Sequence, residues 1–160
     1  MNWPHIHLML NHIPVLGTVF GLALLGWGTL RRNDSLQRAG LATFVVVALA
    51  AIAVYLTGEP SEDVVERLVG TAEPAIELHE GAALASLVGV ELLGVIALAG
   101  LVLARASWHV TLTRAALLVS IVTAGLLARA ANLGGQIRHA EVRGDAVPLE
   151  DDHGRRGEGR

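Results

Sequence analysis

The chain lacks cysteine and lysine, and only 4% of its 160 residues are aromatic. Without cysteine there are no disulfides, thiolate metal sites, iron–sulfur clusters held by this chain or covalently attached c-type haem. A bound metal would therefore take nitrogen, oxygen or methionine sulfur as ligands. The formal net charge of -3, with no basic cluster outside short loops, argues against a nucleic-acid partner.

Hydrophobic residues, in contrast, make up 52% of the chain, which is too apolar for a soluble domain of this size. Four apolar stretches approach or exceed the roughly 20 residues that cross a hydrocarbon core of about 30 Å. They cover residues 6–30, 39–57, 79–104 and 110–133. The sequence thus predicts an all-α integral membrane four-helix bundle over residues 1–143 and a flexible charged tail over 144–160. No basic segment precedes the first stretch, so we expect a permanent span and not a cleaved signal peptide.

The arginines predict how the bundle is oriented. The connectors 31–38 and 105–114 are short and basic, so the positive-inside rule places both in the cytoplasm. Both termini and the longer loop 58–78 then lie outside, and the expected location is a bacterial inner membrane. In that loop, Ser61 precedes a segment with first-turn acids and paired apolar residues, which predicts a short amphipathic helix over 62–69 on the membrane surface.

Five of the seven histidines fall at the predicted outer ends of three spans. These are His5, His7, His12, His79 and His139. Imidazole is the commonest protein ligand for haem iron and also binds zinc and copper. Because three separate segments place imidazoles at one depth, the pattern predicts a cofactor site there.

Small residues follow the histidines into the membrane. Below His79, one face of the third span carries Ala83, Ser86, Val90, Gly94 and Ala97, and the first span has a stripe of Gly17, Gly21 and Gly28. Such a face could leave room for a flat macrocycle. It is also what membrane helices use to approach one another closely.

Three further features bear on a site. Glu91 lies near the middle of the third span, where a carboxylate usually faces a partner, water or a proton path, unless it is simply protonated and hydrogen-bonded. Arg129 could reach lipid phosphate; otherwise Arg129, Arg138 or Arg67 could pair with haem propionates. The pair Gly134 and Gly135 predicts a C-cap that ends the fourth helix and turns His139 toward the bundle.

The run from His7 to Pro14 resembles the opening signature, His-x4-His-x-Pro, of a family of bacterial four-helix membrane proteins of unknown function. The run from Gly134 to His139 is similar to the closing Gly-Gly-x3-His of that family, and His79 falls where its members also tend to carry histidine. The resemblance covers roughly residues 5–140. Some relatives are joined to, or encoded beside, redox modules, which implies an electron-transfer setting.

Three functional hypotheses follow. The first is a b-type cytochrome-like protein that binds haem b through two of His7, His12, His79 and His139 and exchanges electrons with a membrane quinone or a periplasmic redox protein. The second is a copper or zinc site built from the same histidines. The third is a cofactor-free accessory subunit of a larger membrane complex. A channel or transporter built around Glu91 ranks below these, and no nucleophile with an evident base indicates an enzyme.

Overall fold

A computed structural model describes residues 2–69, 73–104 and 107–138, which are almost entirely helical. The helices are α1 (Trp3–Leu10), α2 (His12–Leu30), α3 (Asp34–Val69), α4 (Glu73–Val102) and α5 (His109–Arg138). Four segments are long and apolar enough to cross a membrane: Trp3–Leu30, Asp34–Ser61, Ala75–Val102 and His109–Ile137. The predictions of an all-α fold and of a multi-pass membrane protein are therefore confirmed, and each span is longer than the sequence pattern indicated.

The helices form a ring in the order α2, α3, α4, α5, in which α5 returns to pack against α2. The centre of the ring is apolar, with Leu25, Phe44 and Leu93 fully buried. Large apolar side chains cover the outside as well, which is the pattern of a bundle whose solvent is lipid. Exposed tryptophans lie close to span ends, as expected of residues at the membrane–water interface; they are Trp3, Trp27 and Trp108.

The first span is divided at Asn11, one residue with helical dihedral angles between α1 and α2. Pro14 has no backbone N–H, so it cannot donate to the carbonyl of Leu10, and the chain leaves the regular helix there. α1 packs on α3 and has no comparable contact with α5 in the described part of the chain, whereas α2 packs on both α3 and α5.

The loop predicted over 58–78 is largely helical. Residues 62–69 form a helix as expected, but this helix continues α3 and is not a separate element on the membrane surface. Pro60 lies inside α3 without ending it, and the Ser61 hydroxyl donates to the carbonyl of Thr57 at 2.5 Å. Because α4 begins at Glu73, only residues 70–72 separate the two helices.

The small residues serve helix packing. A Cβ added at Gly17 would lie 2.5 Å from Cγ2 of Val47, and Gly94 on α4 faces Ala48 on α3 directly. At Gly21 an added Cβ would lie 2.6 Å from Cε1 of Phe44. Side chains of α3 thus fill the space beside these glycines. Close helix approach is the correct interpretation, and the face below His79 does not leave room for a macrocycle at the depth of Gly94.

Candidate functional site

His7 lies on α1 and turns its half-buried ring toward α3. Its Nδ1 is 3.2 Å from the carbonyl oxygen of Val54 and 3.1 Å from Oγ1 of Thr57. A carbonyl can only accept, so Nδ1 carries the proton and donates to it. The Thr57 hydroxyl donates its own proton to the same carbonyl at 2.8 Å, which leaves its oxygen free to accept from His7. The ring is therefore held with an unprotonated Nε2.

His79 lies near the start of α4 and turns its half-buried ring toward α5. Its Nδ1 donates to the carbonyl oxygen of Ala130 at 3.0 Å, so its Nε2 also keeps a free lone pair. The ring lies directly against Gly134: a Cβ added there would be 3.0 Å from Cε1 of His79. Because α5 continues to Arg138, Gly134 and Gly135 lie inside this helix, and the predicted C-cap at this pair is wrong. Gly134 allows the close approach of the imidazole instead.

The two imidazoles lie at the same end of the bundle, because His7 bonds to the C-terminal half of α3 and His79 lies near the start of α4. His7 is positioned by α1 and α3, and His79 by α4 and α5. Neither Nε2 has a hydrogen-bond partner among the described residues. The fold therefore presents two unbonded Nε2 atoms, each on a ring that a different pair of helices positions.

The other candidate histidines are placed differently. His12 is exposed, and its Nδ1 donates 2.7 Å to the carbonyl of Leu8 in the turn before it. His5 is also exposed. One histidine of the opening motif thus faces the bundle while the other is exposed. A ligand role for His12 stays a prediction. His139 lies outside the described residues, so its role as a ligand also stays a prediction.

Arg129 and Glu91, the charged candidates whose side chains are described, make no bond to either imidazole. Arg129 is exposed and has no ion-pair partner among the described side chains, while the side chains of Arg67 and Arg138 are not among them. Glu91 is half-buried, and its Oε1 has no hydrogen-bond partner in the described part of the chain. Within that same part, no three histidine, aspartate or glutamate side chains converge as a metal site.

The sequence did not identify the groups that orient the rings. The acceptors from Val54 and Ala130 are backbone carbonyls, which leave no signal in side-chain identity. Thr57 does leave a signal in the sequence, because its hydroxyl ends the second apolar stretch at the depth predicted for the histidines. That position could have marked it as a partner of an imidazole.

No family model, curated protein or solved structure matches the chain. The resemblance of its two terminal motifs to a bacterial membrane family therefore stays a prediction, and the functional argument depends on the site itself.

Proposed function

We propose that this protein is a membrane b-type cytochrome-like electron-transfer protein, with His7 and His79 as the two axial ligands of one haem. One observation carries the proposal: at one end of the bundle, two half-buried rings each donate Nδ1–H to a backbone carbonyl and keep Nε2 free. His12 makes the same kind of bond from an exposed ring, and His109 makes it at the opposite end. Histidines that bind metals are usually held in this way, because the second hydrogen bond fixes the tautomer and the ring orientation.

The number of ligands favours haem over copper or zinc. Haem iron takes its four equatorial nitrogens from the macrocycle and needs only two from the protein. Zinc is normally held by three or four protein ligands, and no such group occurs among the described residues. A copper or zinc site would require a further ligand, for which His139 is the candidate, and it stays the alternative.

The shape of the bundle restricts where a haem could lie. The packing at Gly17 and Gly94 fills the interior at their depth, so the macrocycle would lie closer to the end of the bundle that carries the histidines. At that end α1 packs against α3. The donor set fits a haem bound near the end of the bundle.

Two imidazoles give six-coordinate iron with no open position, so the haem would pass electrons and not bind oxygen. The arginine bias supports an extracytoplasmic position for this end of the bundle. We therefore propose a periplasmic redox protein or a membrane quinone as the electron partner, within a larger membrane complex. Arg129 is exposed and fits lipid phosphate better than a haem propionate.

Absorption spectra of histidine variants test this assignment. We expect His7→Ala and His79→Ala each to abolish the low-spin Soret and α bands of the purified protein, whereas His5→Ala leaves them unchanged as the matched control. His12→Ala should also leave them unchanged, since its ring faces outward. Normal spectra in both single variants, His7→Ala and His79→Ala, would contradict the proposal.

Because the chain has no cysteine, single introduced cysteines report the orientation directly. We expect an impermeant maleimide added to intact cells to label Asn2→Cys and not Ser35→Cys. Labelling of Ser35→Cys alone would reverse the proposed orientation while leaving the haem assignment intact.

A further inference from the structure

We infer that Thr57 is a positioning residue for His7 that sets the electronic character of its Nε2, an inference that rests on the proposed function. No feature of the sequence had assigned a role to this threonine. Its hydroxyl oxygen lies 3.1 Å from Nδ1 of His7, and its proton is donated to the carbonyl of Val54 at 2.8 Å.

The His7 imidazole, the Val54 carbonyl and the Thr57 hydroxyl form a closed set of hydrogen bonds. The imidazole N–H is shared between two acceptors, the Val54 carbonyl and the Thr57 oxygen, and the threonine donates to the first of them. The Thr57 hydroxyl donates its only proton to the Val54 carbonyl, so it can only accept a hydrogen bond from His7. An acceptor fixed in this way stabilises one neutral tautomer, the one whose free nitrogen is Nε2.

Gly58 adds to this positioning. A Cβ added at Gly58 would lie 3.7 Å from Cε1 of His7, an ordinary contact distance. The ring thus lies along the backbone of α3 beside Thr57, so a small change at Thr57 acts on the ring itself. Thr57 would not contact a haem ligated by His7, and its effect would pass through the imidazole.

For an imidazole that ligates haem iron, this hydrogen bond changes the reduction potential in a predictable direction. Accepting a hydrogen bond from Nδ1–H raises the basicity of Nε2, which favours ferric over ferrous iron. Thr57→Val removes one of the two acceptors and should raise the reduction potential. Losing an outer-shell partner of a ligating histidine typically changes metal affinity by about tenfold or more. Because the Val54 carbonyl remains as an acceptor in Thr57→Val, we take about tenfold as the upper limit for this variant. A tenfold change in the ratio of ferric to ferrous affinity equals about 59 mV for one electron.

The chain offers a matched control on the same helix. The Thr43 hydroxyl also donates to a backbone carbonyl of its own helix, that of Ala39 at 2.9 Å, but it has no bond to a histidine. Thr43→Val therefore removes a comparable hydroxyl without touching the site. Thr57→Ser keeps the acceptor and should retain the wild-type behaviour.

Redox titration of the purified full chain is the test when haem is present. We expect Thr57→Val to raise the midpoint potential by up to about 59 mV, a tenfold effect, with Thr57→Ser and Thr43→Val close to wild type. An unchanged potential in Thr57→Val, or an equal shift in Thr43→Val, would overturn the role of Thr57.

Nitrogen-15 NMR of the histidine-labelled full chain is the test when wild-type protein contains no haem, a result that would already defeat the proposed function. We then expect His7 to be the Nδ1–H tautomer and Thr57→Val to shift the tautomer ratio about two- to tenfold, the usual effect of losing one hydrogen bond. A wild-type ring protonated at Nε2, or a ratio unaffected by Thr57→Val, would overturn the inference.

Discussion

Replacing Gly134 with alanine should displace the imidazole of His79, whereas the same replacement at the next residue should be harmless. A Cβ at Gly134 would lie 3.0 Å from Cε1 and 3.2 Å from Nδ1 of His79. Unstrained contacts between such atoms are about 3.5–4.0 Å. The ring must therefore retreat by about half an ångström, which stretches its 3.0 Å bond to Ala130 to the limit of hydrogen bonding.

The expected cost follows from these contacts. Overpacking of this kind destabilises by about 1–3 kcal/mol. Alanine is also a better helix former than glycine by about 1 kcal/mol, which offsets part of that cost. At Gly135 an added Cβ meets nothing within 4 Å, so Gly135→Ala should show the propensity gain alone. The two variants should differ in free energy of unfolding by about 1–3 kcal/mol, with Gly134→Ala the less stable.

Reversible unfolding in mixed micelles, followed by far-ultraviolet circular dichroism, measures this difference. The absorption spectrum of each variant provides the second readout, because a displaced His79 should also weaken haem retention while Gly135→Ala keeps it. Equal unfolding free energies together with equal spectra would refute the close contact between Gly134 and His79 and the positioning argument built on it.

Two more predictions concern the bundle. Gly21→Ala should destabilise it by about 1–3 kcal/mol, since the new Cβ would lie 2.6 Å from Cε1 of Phe44. A Cβ at Gly125 meets nothing within 4 Å, so Gly125→Ala should not destabilise the bundle. Unfolding in micelles measures both variants, and equal stabilities would contradict the packing. Glu91→Gln should stay within about 0.5 kcal/mol of wild type, because no described partner requires a carboxylate; a large loss in the same assay would indicate a charged partner.

The sequence predicted the spans well because hydrocarbon thickness fixes the length of an apolar helix. It placed helix ends less well. Ser61 was interpreted as the residue that precedes a new helix within a loop, yet α3 continues through it. Gly134 was interpreted as a cap, but its missing side chain instead accommodates a ring from another helix. Local signals for helix ends do not record such tertiary contacts.

The candidate site was predictable in part. The histidines and their depth follow from hydropathy and helix length, and His7 and His79 do lie at the same end of the bundle. Which ring of the opening motif turns inward depends on how α1 packs on α3, which the residue types do not specify. The backbone acceptors that fix each tautomer depend on helix packing and could not be predicted from residue types.

The central claim is that His7 and His79 hold one haem between them. A pyridine haemochrome assay of the purified full chain, read with its reduced-minus-oxidised spectrum, tests this most directly. We expect about one haem b per chain, with a low-spin α band that is lost in the variant carrying both His7→Ala and His79→Ala. A wild-type protein without haem, or haem retained in that double variant, would contradict the assignment.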